Sequence, residues 1–239
     1  MTIFILSVSD LIYSTQRIFK EANRRGHKVK IINHLMCSIK LTNGISEIIY
    51  KGENIIDIPD VIIPRIGTSA SRHGAAIVKE FEMNGVYTTA TSLGILQSQN
   101  KARTLQIMNR KYIPIPDTLF SVNPENIGEQ IDFLGGAPII IKLQEGTHGA
   151  GVILAESKKS AKSIIDTMYS TNTSILLQEF IAESNSEDIR AFVINGKVVS
   201  SMKRKGLEDD FRSNIHQGGN GFKVNLSSEE KEIAIKAAK

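Results

Sequence analysis

The sequence has little of what marks membrane or secreted proteins. It contains no run of eighteen apolar residues, so no segment is long enough to span a bilayer as a helix. Its first residues are apolar without a basic lead, which predicts a buried strand rather than a secretion signal. Cys37 is the only cysteine, so an internal disulfide is excluded and a packed thiol in a loop is expected. These absences favour a cytoplasmic protein.

Charge and histidine content exclude two further classes. The net charge is only +4 at pH 7, and the lysines and arginines are spread along the chain. We therefore expect no direct nucleic-acid partner, whereas anionic small substrates remain compatible with this charge. The five histidines lack the spacing of zinc ligands, so no metal site is assigned to them. With 239 residues, of which 41% are hydrophobic, the chain can form one large or two modest domains.

Strand-like and helix-like segments alternate in the first hundred residues. Residues 3–8 form an apolar run of buried-strand type, residues 28–33 are strand-like, and a helical pattern at 14–25 lies between them. A strand, a helix and a second strand in this order predict a parallel, doubly wound sheet of α/β type. Residues 44–58 predict a hairpin that turns near Lys51, and 92–110 predict one continuous helix.

A domain boundary is predicted between about Asn100 and Pro116. The run Ile-Pro-Ile-Pro at 113–116 cannot continue a helix, because proline lacks the amide and restricts the residue before it. Short strands and helices then follow in an α+β order, including a hairpin around Asn195-Gly196. Ser227-x-x-Glu230 is a capping box for a last helix over 229–239. The chain is therefore expected to form an α/β domain followed by an α+β domain.

A glycine-rich loop at 146–151 is the first candidate site. Its spacing is G-x-x-G-x-G and a β-branched strand follows it, which excludes a dinucleotide fingerprint, and no lysine follows as in a P-loop. The backbone amides of such a hairpin could close over phosphates. An ordinary glycine turn is the alternative.

Lys142 favours the nucleotide interpretation of that loop. It lies near the end of the apolar strand Ile139-Ile140-Ile141-Lys142-Leu143, on the face opposite Ile141 and Leu143. A lysine on a buried strand needs an anion, which a phosphate beside the loop would supply. A salt bridge at the strand end is the alternative.

Three further segments carry candidate ligands. The strand edge before Ile181 could bind a purine through its backbone, and a carboxylate of Glu183, Glu187 or Asp188 could hold ribose hydroxyls. Arg212 and Asn214 are suitable ligands for a phosphate or a carboxylate. Solvated loops and structural salt bridges are the alternatives for each.

Taken together, these segments resemble the RimK family of ATP-grasp ligases, in order and over essentially the whole chain. The resemblance rests on the following segments: Ile63-Pro64-Arg65-Ile66-Gly67, Gly135-Gly136-Ala137-Pro138, Lys142-Leu143-x-Glu145-Gly146-Thr147-x-Gly149-x-Gly151-Val152, Gln178-Glu179-Phe180-Ile181, Asp188-Ile189-Arg190, Asp210-Phe211-Arg212-Ser213-Asn214-x-His216-x-Gly218-Gly219 and the helix at 232–238.

The resemblance implies a role for each matching residue. It implies an N-terminal doubly wound pre-ATP-grasp domain at 1–104. An ATP-grasp domain would follow at 105–239, with a central subdomain at about 115–180 and a partial C-terminal subdomain at 181–239. Residues implied to bind ATP are Lys101, Lys142, Gly146, Thr147, Gly149, Gly151, Glu179, Phe180, Asp188, Arg212, Ser213 and Asn214. Among these, Lys142, Arg212 and Asn214 are implied to be catalytic.

The resemblance also implies a reaction and its partners. An ATP-dependent ligase of this family joins the amine of L-glutamate or another amino acid to a carboxylate, through an acylphosphate. The acceptor would be the C-terminus of a small-subunit ribosomal protein or a similar acidic peptide, and relatives act on an amino-acid carrier protein or a coenzyme. Its Mg²⁺ or Mn²⁺ ligands are expected beyond residue 239, so the domain is expected to be truncated at its C-terminus. A catalytically inactive nucleotide-binding remnant is the alternative. The sequence does not decide between a monomer and a homo-oligomer.

Overall fold

A computed structural model describes residues 1–54, 57–121, 125–144, 151–171, 173–207, 210–215 and 218–239. Within it the chain divides into two compact units, residues 1–100 and 101–239. No helix in these ranges is long and apolar enough to cross a membrane.

The first unit alternates strands and helices. Its strands are β1 (Thr2–Ser7), β2 (Lys28–Ile32), β3 (Cys37–Thr42), β4 (Ile45–Tyr50), β5 (Glu53–Asn54), β6 (Val61–Arg65) and β7 (Tyr87–Thr88). Its helices are α1 (Tyr13–Arg24), α2 (Ser71–Met83) and α3 (Ser92–Gln99).

A parallel sheet forms the centre of this unit. Its strand order is β2-β1-β6-β7, and every neighbouring pair is parallel. The chain thus moves outward from β1 in both directions, which confirms the predicted doubly wound sheet. Phe4, Ile5 and Leu6 of β1 are all buried, as a continuous apolar run in a central parallel strand requires. Ile77, Val78 and other residues of α2 complete this core.

The turn of the predicted hairpin at 44–58 is confirmed at Lys51-Gly52, where β4 pairs with β5, but a longer hairpin before it was not predicted. The long pairing joins β3 to β4 across Asn43-Gly44, and only the two-residue β5 follows the turn at Lys51-Gly52. Cys37 begins β3, so the expected loop around it is wrong, although its thiol is buried as expected. Asn43 and Gly44 both have positive φ, the backbone that a two-residue hairpin turn demands.

The second unit contains two antiparallel sheets and four described helices. The helices are α4 (Lys101–Arg110), α5 (Ile127–Phe133), α6 (Lys158–Ser170) and α7 (Ser228–Ala238). The strands are β8 (Thr118–Ser121), β9 (Ile139–Leu143), β10 (Val152–Ala155), β11 (Ile175–Glu179), β12 (Glu187–Ile194), β13 (Lys197–Lys205) and β14 (Asn220–Lys223). The predicted continuous helix at 92–110 is interrupted at Asn100, whose backbone is extended.

The first of these sheets buries one face in a core. Its order is β10-β9-β11-β8. Ile139 and Ile141 of β9 and Leu177 of β11 point to the same side and are fully buried. Ile131 of α5 and Ile165 of α6 belong to the same cluster. Because side chains alternate along a strand, the residues between these face the other side of the sheet.

The second sheet has the order β12-β13-β14. Asn195 and Gly196, both at positive φ, connect its first two strands, which confirms the predicted hairpin. α7 lies against β12 and β13 and begins with the predicted capping box. In it, Ser227 Oγ accepts from the Glu230 amide at 3.1 Å, and Glu230 Oε2 accepts from the Ser227 amide at 2.7 Å.

Candidate active site

Lys142 lies on the sheet face that is turned away from the α5–α6 core. In the antiparallel register it pairs with Leu176 of β11 and Val152 of β10, and its strand neighbours Ile141 and Leu143 point to the core side. The expected alternation is therefore confirmed. The ammonium is partly buried, and it donates a short hydrogen bond to Gln178 Oε1.

The surroundings of Lys142 favour an anion over a salt bridge. Among the described residues no carboxylate forms an ion pair with Lys142. Burial lowers the pKa of its ammonium, and the positive charge of Lys101 lowers it further. Lys101 Nζ donates to the carbonyl oxygen of Gln144, 3.5 Å away, just after β9 ends. Two lysine charges thus act on one region at the end of β9, where an anionic ligand would relieve their repulsion.

The glycine-rich loop is described only at its end. Gly146, Thr147 and Gly149 lie outside the described residues. Gly151 has φ +73°, and a Cβ atom at this position would lie 2.4 Å from the Cγ atom of Leu143. Its carbonyl oxygen accepts from the Leu143 amide at 2.8 Å, which extends the β9–β10 hairpin. Only glycine fits this position, because it lacks Cβ and tolerates positive φ.

Glu179, the last residue of β11, is hydrogen-bonded to Asp117, which lies just before β8. Its amide donates to the carbonyl oxygen of Asp117 at 3.0 Å, and its Oε1 accepts from the Asp117 amide at 2.8 Å. Phe180 follows directly and is partly buried. The two residues thus lie at the C-terminal end of β11, in the same sheet as Lys142, and this is the segment for which the sequence predicts a purine.

Arg204 brings three predicted site residues together. It lies on β13 and is 7% exposed, and its guanidinium donates to both carboxylate oxygens of Asp188 on β12, from Nε at 2.8 Å and by a short bond from Nη2. It also donates to Asn214 Oδ1 at 3.4 Å and Ser213 Oγ at 3.3 Å. Burial raises the pKa of Asp188, but the hydrogen bonds from Arg204 and Ser213 and the arginine charge outweigh it and lower this pKa.

Arg212 is held by its own neighbour instead. Its Nε and Nη2 donate to Oδ1 and Oδ2 of Asp210 at 2.9 and 3.0 Å, and its backbone amide donates to Oδ1 at 2.9 Å. The hydrogen bonds and charge of Arg212 lower the pKa of Asp210. Arg212 therefore already has a carboxylate partner, Asp210, in the described contacts.

The sequence interpretation missed Arg204, Gln178 and Thr118 as parts of the site. Arg204 could have been found, because it is the central residue of the basic run Lys203-Arg204-Lys205, which continues the apolar strand. Thr118 and Gln178 pair directly between β8 and β11, and that register is not readable from the sequence. Among the described residues no group of three His, Cys, Asp or Glu side chains could hold a metal ion.

Comparisons with known proteins agree over both units. The RimK PreATP-grasp domain model matches residues 1–95, and the RimK-like ATP-grasp domain model matches residues 98–239. Proteins named probable alpha-L-glutamate ligase from Maridesulfovibrio salexigens and Aliivibrio fischeri are 46% and 44% identical to this chain over 239 and 238 residues. Each alignment covers 100% of this chain and 79% of the relative.

A solved structure shares the fold. The ATP-grasp ligase PsnB, complexed with a phosphomimetic variant of its minimal precursor, Mg and ADP, superposes with a TM-score of 0.70 at 17% identity. The superposition covers 99% of this chain and 81% of PsnB. Matches to both family models and relatives of this identity lead to one assignment: the chain belongs to the RimK family of ATP-grasp ligases.

Proposed function

We propose that this ligase uses ATP to join the amine of L-glutamate to a carboxylate of an acidic peptide, with the C-terminus of a small-subunit ribosomal protein as the first candidate acceptor. The names of the relatives support glutamate as the donor amine. Two PsnB complexes, one with ADP and Mg and one with a precursor peptide and AMPPNP, support a nucleotide and a peptide as ligands of this fold.

The proposal that the site binds a nucleotide rests on the environment of Lys142. It is a partly buried ammonium with an amide oxygen as its described partner, and Lys101 adds a second positive charge near it. A triphosphate fits this arrangement, because its oxygens would accept from both ammonium groups and cancel their repulsion. We assign Lys101 and Lys142 to the phosphates, Glu179 and Phe180 to adenine and Asp188 to ribose.

In the proposed reaction, an oxygen of the acceptor carboxylate attacks the γ-phosphorus of ATP, and the bond to ADP breaks. The amine nitrogen then attacks the acylphosphate carbon, loses a proton and expels inorganic phosphate. This chemistry needs placement and charge neutralisation more than a protein nucleophile. Lys142, Arg212 and Asn214 would supply the neutralisation and the hydrogen bonds. Arg212 would have to exchange part of its Asp210 contact for a phosphate or acyl oxygen.

Magnesium or manganese would neutralise charge between the phosphate groups. The described residues contain no cluster of three metal-ligating side chains. The metal therefore has no assigned ligand there, and no step above depends on one.

Calorimetry with ADP and magnesium chloride tests the binding part. We expect Lys142→Ala to weaken binding by about tenfold or more, because a charge-assisted hydrogen bond to phosphate is lost. Lys162→Ala is the matched control, since Lys162 is exposed on α6 in the same unit, and we expect no change. Equal affinity of the two variants would refute the assignment of Lys142.

A product assay tests the ligation. The chain is incubated with ATP, magnesium and L-glutamate, and with an acidic peptide, an amino-acid carrier protein or a coenzyme carboxylate in separate arms. We expect phosphate release that requires both glutamate and the acidic peptide, and a peptide mass increased by glutamate residues. Product with another acceptor alone would reassign the substrate. Nucleotide binding without product in any arm would indicate the inactive remnant.

A further inference from the structure

Gln178 is a buried polar residue that none of the assigned roles explains. It is 4% exposed and lies on β11, on the same sheet face as Lys142. The register pairs it directly with Thr118 of β8 on one side. Its side chain therefore lies between a threonine hydroxyl and a lysine ammonium, away from the apolar core of the other face.

The orientation of the Gln178 amide follows from its partners. Thr118 Oγ1 donates to the carbonyl oxygen of Pro116 at 2.7 Å, so its hydroxyl hydrogen is used. It can then only accept from Gln178, whose Nε2 lies 2.8 Å away. The amide oxygen Oε1 must consequently face Lys142, where it accepts from the ammonium. This series of hydrogen bonds thus fixes the Gln178 side chain so that its carbonyl oxygen, and not its amino group, faces Lys142.

A neutral acceptor has a different consequence from a carboxylate at this position. An ammonium has three N–H donors, and an amide oxygen takes one of them without cancelling the charge. A carboxylate would form an ion pair in a partly buried site, raise the pKa of Lys142 and compete with any phosphate. Burial, the larger influence on the pKa of Lys142, and the repulsion from Lys101 both lower this pKa, and neither supplies a negative charge that would compete with an anion.

We propose that Gln178 is a positioning residue that holds the Lys142 ammonium with a neutral oxygen, so that its full charge and its remaining donors act on the phosphates of the nucleotide. Thr118 and the Pro116 carbonyl keep the amide in the orientation that this requires. The inference rests on the proposed nucleotide-binding role of Lys142.

Gln178→Glu tests the requirement for neutrality. In calorimetry with ADP and magnesium chloride, we expect its affinity to be about tenfold or more below that of the wild-type chain, because a carboxylate occupies the ammonium. Gln106→Glu is the matched control, since it adds the same charge at an exposed position of α4. Its affinity should equal that of the wild type.

A titration of Lys142 separates this role from a purely structural one. The pKa of Lys142, followed by NMR of its side-chain CH₂ groups with Lys142→Ala for assignment, should rise in Gln178→Glu and stay unchanged in Gln106→Glu. A loss of packing alone would not raise this pKa. An unchanged pKa in a folded Gln178→Glu variant would overturn the proposal.

Two further variants test the same proposal if Gln178→Glu does not fold. Gln178→Leu keeps the lysine charge but removes its anchor, and Thr118→Val frees the amide to rotate its amino group toward the ammonium. We expect both to weaken ADP binding less than Lys142→Ala does. If Lys142→Ala loses binding while the Gln178 and Thr118 variants keep wild-type affinity, positioning by Gln178 is refuted and the nucleotide site stands. If Lys142→Ala also keeps wild-type affinity, both proposals fail.

Discussion

The Arg204–Asp188 pair yields the sharpest stability prediction. Replacement of Arg204 by methionine keeps much of the buried stem and removes the charge that three polar partners share. Loss of one partner from a buried ion pair costs about 3–5 kcal/mol. The Asp188 side chain is 39% exposed, so water can solvate the remaining carboxylate and reduce that loss. We expect the free energy of unfolding to fall by about 1–3 kcal/mol.

The pH dependence of this loss gives a second, independent measure. Asp188 has a folded pKa below its ordinary value of 3.8, so the unfolded chain binds more protons in that range. The stabilisation is therefore fully present above pH 3.8 and is lost as the pH falls through the folded pKa. In Arg204→Met the largest remaining influence on Asp188 is burial, which raises its pKa, so this acid-dependent loss should disappear.

Urea unfolding followed by circular dichroism at a series of pH values measures both effects. Arg190→Met is the control for the hydrogen-bonded contact, because Arg190 is an exposed arginine on the same strand that acts on the pKa of Asp188 only weakly, through its charge, and should change stability by less than about 0.5 kcal/mol. Arg204→Lys should recover only part of the loss, since an ammonium cannot reproduce the two-pronged contact. Equal stability of Arg204→Met and Arg190→Met, or an unchanged acid slope, would refute the reasoning.

Three further predictions concern other parts of the chain. His34 is fully buried, its ring nitrogens have no partner among the described residues, and burial followed by the charge of His73 lowers its pKa. The unfolding free energy should therefore fall as the pH drops below 6.5, the ordinary value of His34, by at most about 1.4 kcal/mol per pH unit, and less so in His34→Leu. Gly151→Ala should destabilise the chain by about 1–3 kcal/mol in urea unfolding, whereas Gly128→Ala, on α5 with open space around it, should be neutral or stabilising. Burial raises the pKa of Cys37 to about 11, so a thiol reagent at pH 8 should label it only after the protein is unfolded, and rapid labelling of the folded chain would contradict this burial.

Much of the fold could be read from local patterns. β10 follows the glycine-rich loop as predicted, and Asn195-Gly196 forms the predicted turn. The face of Lys142 was predictable as well, because alternation along a strand is set by backbone geometry alone. Asn43-Gly44 is a strong turn signal, yet the hairpin of β3 and β4 was not predicted. The reason is that polar residues in β3 obscure the alternation of apolar and polar side chains.

The partners within the site were not predictable in the same way. Arg204 meets Asp188, and Gln178 meets Thr118, only because particular strands pair in a particular register. A shift of one residue would turn each side chain to the opposite face. Arg212 is the opposite case. Its ion pair with Asp210 joins residues only two positions apart, and the sequence already indicated a salt bridge as the alternative for this arginine.

The sequence by itself therefore determined the family, much of the order of strands and helices, and the side of the sheet that Lys142 occupies. These properties depend on local backbone periodicity and on motifs that lie along one chain. Only the tertiary structure decided which neutral oxygen holds that lysine and which arginine gathers Asp188, Ser213 and Asn214. Such contacts join residues that are distant in sequence, and they exist only once strand register and sheet packing are set.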